Sequence, residues 1–468
     1  MLDKLHGRRL WALLFALLCL AAFLRLYDLT ADPPNHFASL GQALLTDPYH
    51  ITVHARNKAL FGEWEPFGYE RWVAFKVSLV SALAYLMFSL SEVSRYTANL
   101  TSVILNLLAS SLIVLGLLRS RVQTECQPAS SAPLSALVAG TLLALSHPLI
   151  VYSRTPFLEN GLLALSAATF YVSIAHRRSL RGAALAGVLA VLCPLAGKLF
   201  GALIVFPAVL AIALSGQGAA RRLAVFAGSA ALTVFLWYVF VLGDQAGEYH
   251  AYLQEQSFGL YGAPPGLTSI KTFIMLLVTY GAEFRLFYFE VAIPLLLLLA
   301  ALWLFVRFRP EVWKRDLGFW RERPALTFLV VWAVVAWLGL MVFHYRPLRY
   351  SLFVLVPLIG IIGALLGDAL SARVQDEKRL KSRLRSKRRA LVSSAAVTLI
   401  IWIAVVQGII AFTPDSQIRP SAVSNVWISL LVSVVAGILL WVGWRAMSRF
   451  VHGDSFRHIV AIALALGL

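Results

Sequence analysis

The chain has 468 residues, 59% of them hydrophobic and 14% charged, with a formal net charge of +18. Its mean hydropathy is +0.76, and apolar runs of about twenty residues recur throughout, which excludes a soluble globular enzyme and points to an all-α polytopic membrane protein. The basic residues fall in short segments between those runs, where they report orientation in a bilayer and argue against a nucleic-acid partner.

The first apolar run, 10–26, follows a basic start (Lys4, Arg8, Arg9) and has no A-x-A cleavage site behind it, so it reads as an uncleaved span. From Leu44 to Lys76 the chain becomes polar and aromatic. This stretch carries Asp47, His50, His54, Arg56, Glu63, Glu65, Glu70, Arg71 and Lys76, with Trp64, Phe67, Tyr69 and Trp72 interleaved. Such amphipathic anchors settle at a membrane interface, and the stretch reads as a lid and reaction loop on the membrane surface.

Run 73–91 is apolar enough to be a span, and the charges test whether it crosses. If it did, the basic N-terminus would face the side opposite HRRSLR, RFRPEVWKRDLGFWRER and RVQDEKRLKSRLRSKRR. The positive-inside rule opposes that arrangement, so 73–91 is expected to lie in the interface. Every basic loop then shares the N-terminal side. The predicted crossings are twelve: 10–26, 96–118, 134–152, 156–175, 182–197, 199–214, 223–242, 287–306, 325–343, 350–368, 391–411 and 425–445.

Within 182–214, a single helix would strand Lys198 in hydrocarbon and put the basic flanks on opposite sides. Two short helices with Lys198 at the outer turn avoid both penalties. The basic run 371–390 reads as an inner loop beside anionic headgroups, and the tail HIVAIALALGL is too short to span. Two modules follow: 1–360, with outer loops at 27–95, 153–159 and 243–286, and a C-terminal set of transmembrane helices over 361–468. Cys19 and Cys193 sit in apolar runs and Cys126 in a loop, a pattern unlike a disulfide frame or metal cluster. His50, His54, His250 and His344 lack the spacing of a tetrahedral ligand set.

On this topology the outer side gathers Asp47, Arg95, Arg154 and Glu159 of SRTPFLEN, Lys198, and Arg346, Arg349 and Tyr350 of HYRPLRY. Ionisable groups at membrane depth are costly and tend to mark a site. Each also has a purely structural reading: Glu159 complementing a helix dipole with Arg154 as its ion-pair partner, Lys198 snorkelling, and Arg346 and Arg349 anchoring an interface.

These residues, in this order, resemble the GT-C superfamily of integral membrane glycosyltransferases, in the branch of protein O-mannosyltransferases and lipid A aminoarabinose transferases. TDPYHITVHARNKALFGEW is similar to the family's first outer loop, with Asp47 at the acidic position and Ala55-Arg56-Asn57 at the Ala-Arg-Asn-like stretch. Pro48 stands where the family has a second acid. Arg95 matches the arginine heading the second span, and Arg154 and Glu159 match the second outer loop. Lys198 matches the later hairpin, and RPLRYSLFVLVP matches the late Arg-Tyr. The family's Lys-Pro-Pro is absent, and YERWVAFKVSL, with Arg71 and Lys76, occupies its place.

The resemblance implies a GT-C-like bundle of about twelve transmembrane helices, with interfacial helices in the first outer loop. It also implies an inverting transferase that moves a sugar from a polyprenyl-phosphate donor to a protein, lipid or glycan acceptor on the outer face of the inner membrane. Asp47 would be the general base and Glu159 a second catalytic acid. Lys198, Arg349, Tyr350, Arg346, Arg95, Arg154, Lys76 and Arg56 would hold the donor phosphate and sugar. No organic cofactor is implied. A divalent cation shared by Asp47 and Glu159 stays open, with Pro48 arguing against it. The alternatives are a transporter or flippase of a lipid-linked glycan, although no internal repeat is visible, and a noncatalytic subunit of an envelope-polymer synthase.

Overall fold

The computed structural model describes residues 8–31, 48–64, 77–120, 131–254, 318–342 and 348–371, and within these every regular element is helical. The chain is a multi-pass membrane protein. Five helical stretches are long and apolar enough to cross a membrane: Arg8–Leu26, Arg95–Arg119, Leu158–Ala175, Ala219–Leu242 and Arg349–Asp368. A bent pair makes a sixth if counted as one span. Of the twelve expected runs, 287–306, 391–411 and 425–445 lie outside the described residues.

Helix α1 (Arg8–Leu26) presents Trp11, Phe15 and Phe23 outward, a surface suited to hydrocarbon. Helices α2 (Pro48–Phe61) and α3 (Leu79–Leu90) pack on each other through Ala55, Ala84 and Phe88, with Ala98 of α4 (Arg95–Arg119) closing the cluster. The Ser78 side chain caps α3 by accepting from the Ser81 amide. At 12 residues, α3 rises about 18 Å against a hydrocarbon core of about 30 Å, so the described part of 73–91 is too short to cross.

The run 134–152, expected as one span, is two helices: α5 (Ser131–Leu145) and α6 (His147–Ser153), bent by 56°. The cause is Ser146-His147-Pro148. Proline at the start of α6 has no N–H to continue the ladder of α5, so the last carbonyls of α5 need other donors. A tight turn leads from α6 into α7 (Leu158–Ala175), whose first turn carries Glu159.

Helix α8 (Leu180–Ala196) ends at Gly197, and the chain restarts at Lys198 as a 3-10 turn (Leu199–Ile204) that runs into α9 (Val205–Ala213). A Cβ at Gly197 would lie 2.5 Å from the Cys193 carbonyl oxygen and 3.2 Å from Leu162 Cβ, so only glycine allows the chain to turn this close to α7. Helix α10 (Ala219–Trp237) finishes in a π turn (Tyr238–Leu242) before α11 (Ala246–Gln254). After the short α12 (Gly318–Glu322) come α13 (Pro324–Val342), a 3-10 turn (Leu348–Ser351) and α14 (Leu352–Ser371).

Helix α7 sits between α4 and α8, and α14 packs on α5 and α13. Phe170, Phe328, Trp332 and Phe353, all fully buried, form a chain of tilted and edge-on ring contacts through this core. The chain continues through Phe200 to Tyr350, so the packed interior runs directly into the end of the bundle that carries the polar residues.

Candidate functional site

Glu159, in the first turn of α7, meets Arg349, in the 3-10 turn that precedes α14. Arg349 Nε donates to Glu159 Oε1 at 3.3 Å, with both side chains almost wholly buried. The carboxylate belongs to the first turn of α7, where the helix dipole favours negative charge. Its second oxygen, Oε2, is buried and accepts no hydrogen bond among the described residues. The Arg349 guanidinium also lies 5.1 Å from the centroid of Phe157 and 5.7 Å from that of Tyr350, a sandwich that fixes its plane.

Tyr350 is the hinge between two cations. Lys198 Nζ donates to its hydroxyl at 3.2 Å and sits 5.2 Å from its ring centroid, while Phe200 packs against the ring at 4.9 Å. Lys198 is there because α8 breaks at Gly197, which leaves it at the head of the 3-10 turn and half-buried. Two positive groups thus flank one phenol, with the Glu159 carboxylate against Arg349. This arrangement suits an anion arriving at the Lys198 side.

Other expected residues engage elsewhere. Arg95 donates to the Tyr49 hydroxyl at 2.8 Å, and that hydroxyl donates to Asn99 Oδ1 at 3.2 Å. Asn99 in turn donates to the Leu29 carbonyl at 3.0 Å, so one buried amide joins the chain after α1 to the first turn of α2. Arg154, for which Glu159 was the ion-pair partner in the purely structural reading, donates to the carbonyls of Tyr27 and Asp28. Partial burial draws its pKa below the ordinary value, opposed by the Asp28 carboxylate. Arg56 is exposed and donates to Asn57 Oδ1 at 2.9 Å. Asp47, Lys76 and Arg346 lie outside the described residues. Among the described residues no group of three His, Cys, Asp or Glu side chains is placed to hold a metal ion.

Arg25, Asn106 and Asn160, not among the expected site residues, are fully or almost fully buried and hydrogen-bonded in series up to the neighbour of Glu159. Arg25 stood in plain view as a charge within the last turn of an apolar run, a position that is costly unless partners are supplied. Asn106 and Asn160 gave no such signal, because a lone amide in an apolar run has many structural uses.

No family model matches the chain, and no curated protein matches it either. Among solved structures, crystal structures of ArnT from Cupriavidus metallidurans, one bound to undecaprenyl phosphate and one in the apo state, are similar at 16% identity and a TM-score of 0.49. The similarity covers 98% of this chain and 76% and 75% of theirs.

Proposed function

We propose that this chain is an inverting GT-C-type glycosyltransferase that passes a sugar from a polyprenyl-phosphate carrier to an acceptor at the outer face of a bacterial-type inner membrane. The observation that supports it is the convergence of Glu159, Arg349, Tyr350 and Lys198, from three separate parts of the sequence, at one end of the bundle. The sequence motifs that resemble the family predicted each of the four for this chemistry.

In this reading the acceptor hydroxyl attacks the anomeric carbon while the bond from that carbon to the phosphate oxygen breaks, and the electron pair leaves on the lipid phosphate. Charge grows on that phosphate as an oxocarbenium-like sugar forms, and Lys198 and Arg349 supply fixed positive charge to meet it. Glu159 holds Arg349 at its station through Oε1, and Oε2 is left to accept from a sugar hydroxyl. Asp47 takes the acceptor proton as general base. Arg346, Lys76 and Arg56 add positive charge for the donor, while Arg95 and Arg154 brace the first and second outer loops through the contacts described above. The polyprenyl tail remains in the bilayer.

Purified protein incubated with a radiolabelled polyprenyl-phosphate sugar and a panel of acceptors tests this. Transfer by the wild type, reduced by about two to four powers of ten in Asp47→Asn, supports the reading. Equal rates in the two would remove Asp47 from the mechanism. A wild type that moves the lipid-linked sugar across a vesicle membrane without breaking the glycosidic bond would favour the transporter instead.

A further inference from the structure

Among the described residues, the buried charge of Arg25 has no carboxylate partner. Four hydrogen bonds nevertheless hold its guanidinium. Nε donates to Asn106 Oδ1 at 3.1 Å, one terminal nitrogen to the carbonyls of Ala21 and Ala144 at 3.1 Å each, and the other to the Leu143 carbonyl at 2.9 Å. Leu143 and Ala144 end α5, where the chain bends by 56° and the helical ladder stops. Those carbonyls form the negative end of a helix dipole. The guanidinium caps them, which compensates a charge that would otherwise be prohibitive inside the bundle.

The contact with Asn106 has a further consequence. Arginine can only donate, so the Asn106 oxygen must face it and the Asn106 amide nitrogen must face away. That nitrogen donates to Asn160 Oδ1 at 3.2 Å. Asn160 is thereby oriented with its own nitrogen toward the Tyr152 carbonyl at 2.9 Å and the Thr155 carbonyl at 3.5 Å. Donor polarity therefore runs one way from Arg25 to the turn between α6 and α7, and Asn160 is the residue after Glu159.

We propose that Arg25 is a positioning residue: through Asn106 and Asn160 it sets the helix turn that places the Glu159 carboxylate against Arg349. Its effect on transfer rests on the function proposed above, whereas its effect on geometry does not.

Asn106→Asp tests the relay by separating stability from orientation. The carboxylate gives Arg25 a charged partner but presents only acceptors to Asn160, which must reverse its amide and turn an oxygen toward the Tyr152 carbonyl. The relay predicts an unfolding midpoint in detergent equal to or above that of the wild type. It also predicts sugar transfer lowered about ten- to a hundredfold, because a reacting group displaced by about 1 Å loses rate on that scale. An electron cryomicroscopy structure of the variant should show Glu159 Oε1 and Arg349 Nε separated beyond hydrogen-bond distance. A variant that keeps that contact overturns the proposal whether or not transfer is seen. A displaced contact together with a wild type that transfers no sugar upholds the relay and removes the transferase reading. If Asn106→Asp does not accumulate as folded protein, Arg25→Lys serves instead. It keeps the charge but loses the fork that reaches Asn106 and α5 together, and the same loss of the Glu159–Arg349 contact is expected, with retention overturning the proposal.

Discussion

Arg349 Nε and Glu159 Oε1 lie 3.3 Å apart with both side chains almost fully buried, joining residues 190 positions apart in the sequence. Taking one member of such a pair away leaves the other charged and desolvated, which typically costs about 3–5 kcal/mol. Arg349→Met and Glu159→Gln should therefore each lower the unfolding midpoint. The double variant should lose less than the sum, with a coupling of roughly 1–3 kcal/mol. Denaturation of the four proteins in one detergent checks this, and strict additivity would mean that the contact contributes nothing in solution.

Lys198 meets Tyr350 through both its hydroxyl and its ring. A hydrogen bond to a charged group is worth about 1.5–3 kcal/mol, so Lys198→Ala should weaken binding of polyprenyl phosphate by roughly ten- to a hundredfold. Tyr350→Phe keeps the ring but loses the hydroxyl, and should weaken binding less. Native mass spectrometry or a fluorescent-lipid titration reads both. Unchanged affinity in Lys198→Ala would take that lysine out of the phosphate site.

Gly197→Ala should displace Lys198 without touching its charge. The new methyl would meet the Cys193 carbonyl oxygen at 2.5 Å and Leu162 at 3.2 Å, and both neighbours are packed. Overpacking of this kind costs about 1–3 kcal/mol. The variant should unfold at a lower temperature and bind lipid phosphate less well than wild type. Wild-type behaviour in both assays would show that α8 can end another way.

Asn99 connects the Leu29 carbonyl to the Tyr49 hydroxyl, two residues after Asp47. Asn99→Ala leaves those buried groups without their shared partner, at a cost of about 1–3 kcal/mol. It should also slow sugar transfer more than it weakens lipid-phosphate binding, because the proposed base, Asp47, stands two positions before Tyr49 in the sequence. Parallel loss of kcat and affinity would instead indicate general collapse of this end.

The residues with charge in apolar surroundings were the legible part of the sequence. Lys198 forced a break in 182–214, and the chain breaks at Gly197–Lys198. Glu159 and Arg349 stood out for the same reason, Tyr350 through the family's late Arg-Tyr, and the three meet. Partners were harder to read, because a nearby opposite charge is the default guess and the fold brings distant ones closer: Glu159 pairs with Arg349, while Arg154 turns to the backbone after α1. The bend at Ser146 had its signal in Pro148, but the apolar run on either side hid it. Arg25 gave no partner in the sequence because three of its four hydrogen bonds go to main-chain carbonyls, which no residue letter announces.

A structure of the purified protein with bound polyprenyl phosphate tests the central claim most directly. The account predicts the phosphate within hydrogen-bond reach of Lys198 and beside Arg349, with the lipid tail leaving toward the bilayer. A phosphate held at the opposite end of α7, or none bound at saturating lipid, would contradict it.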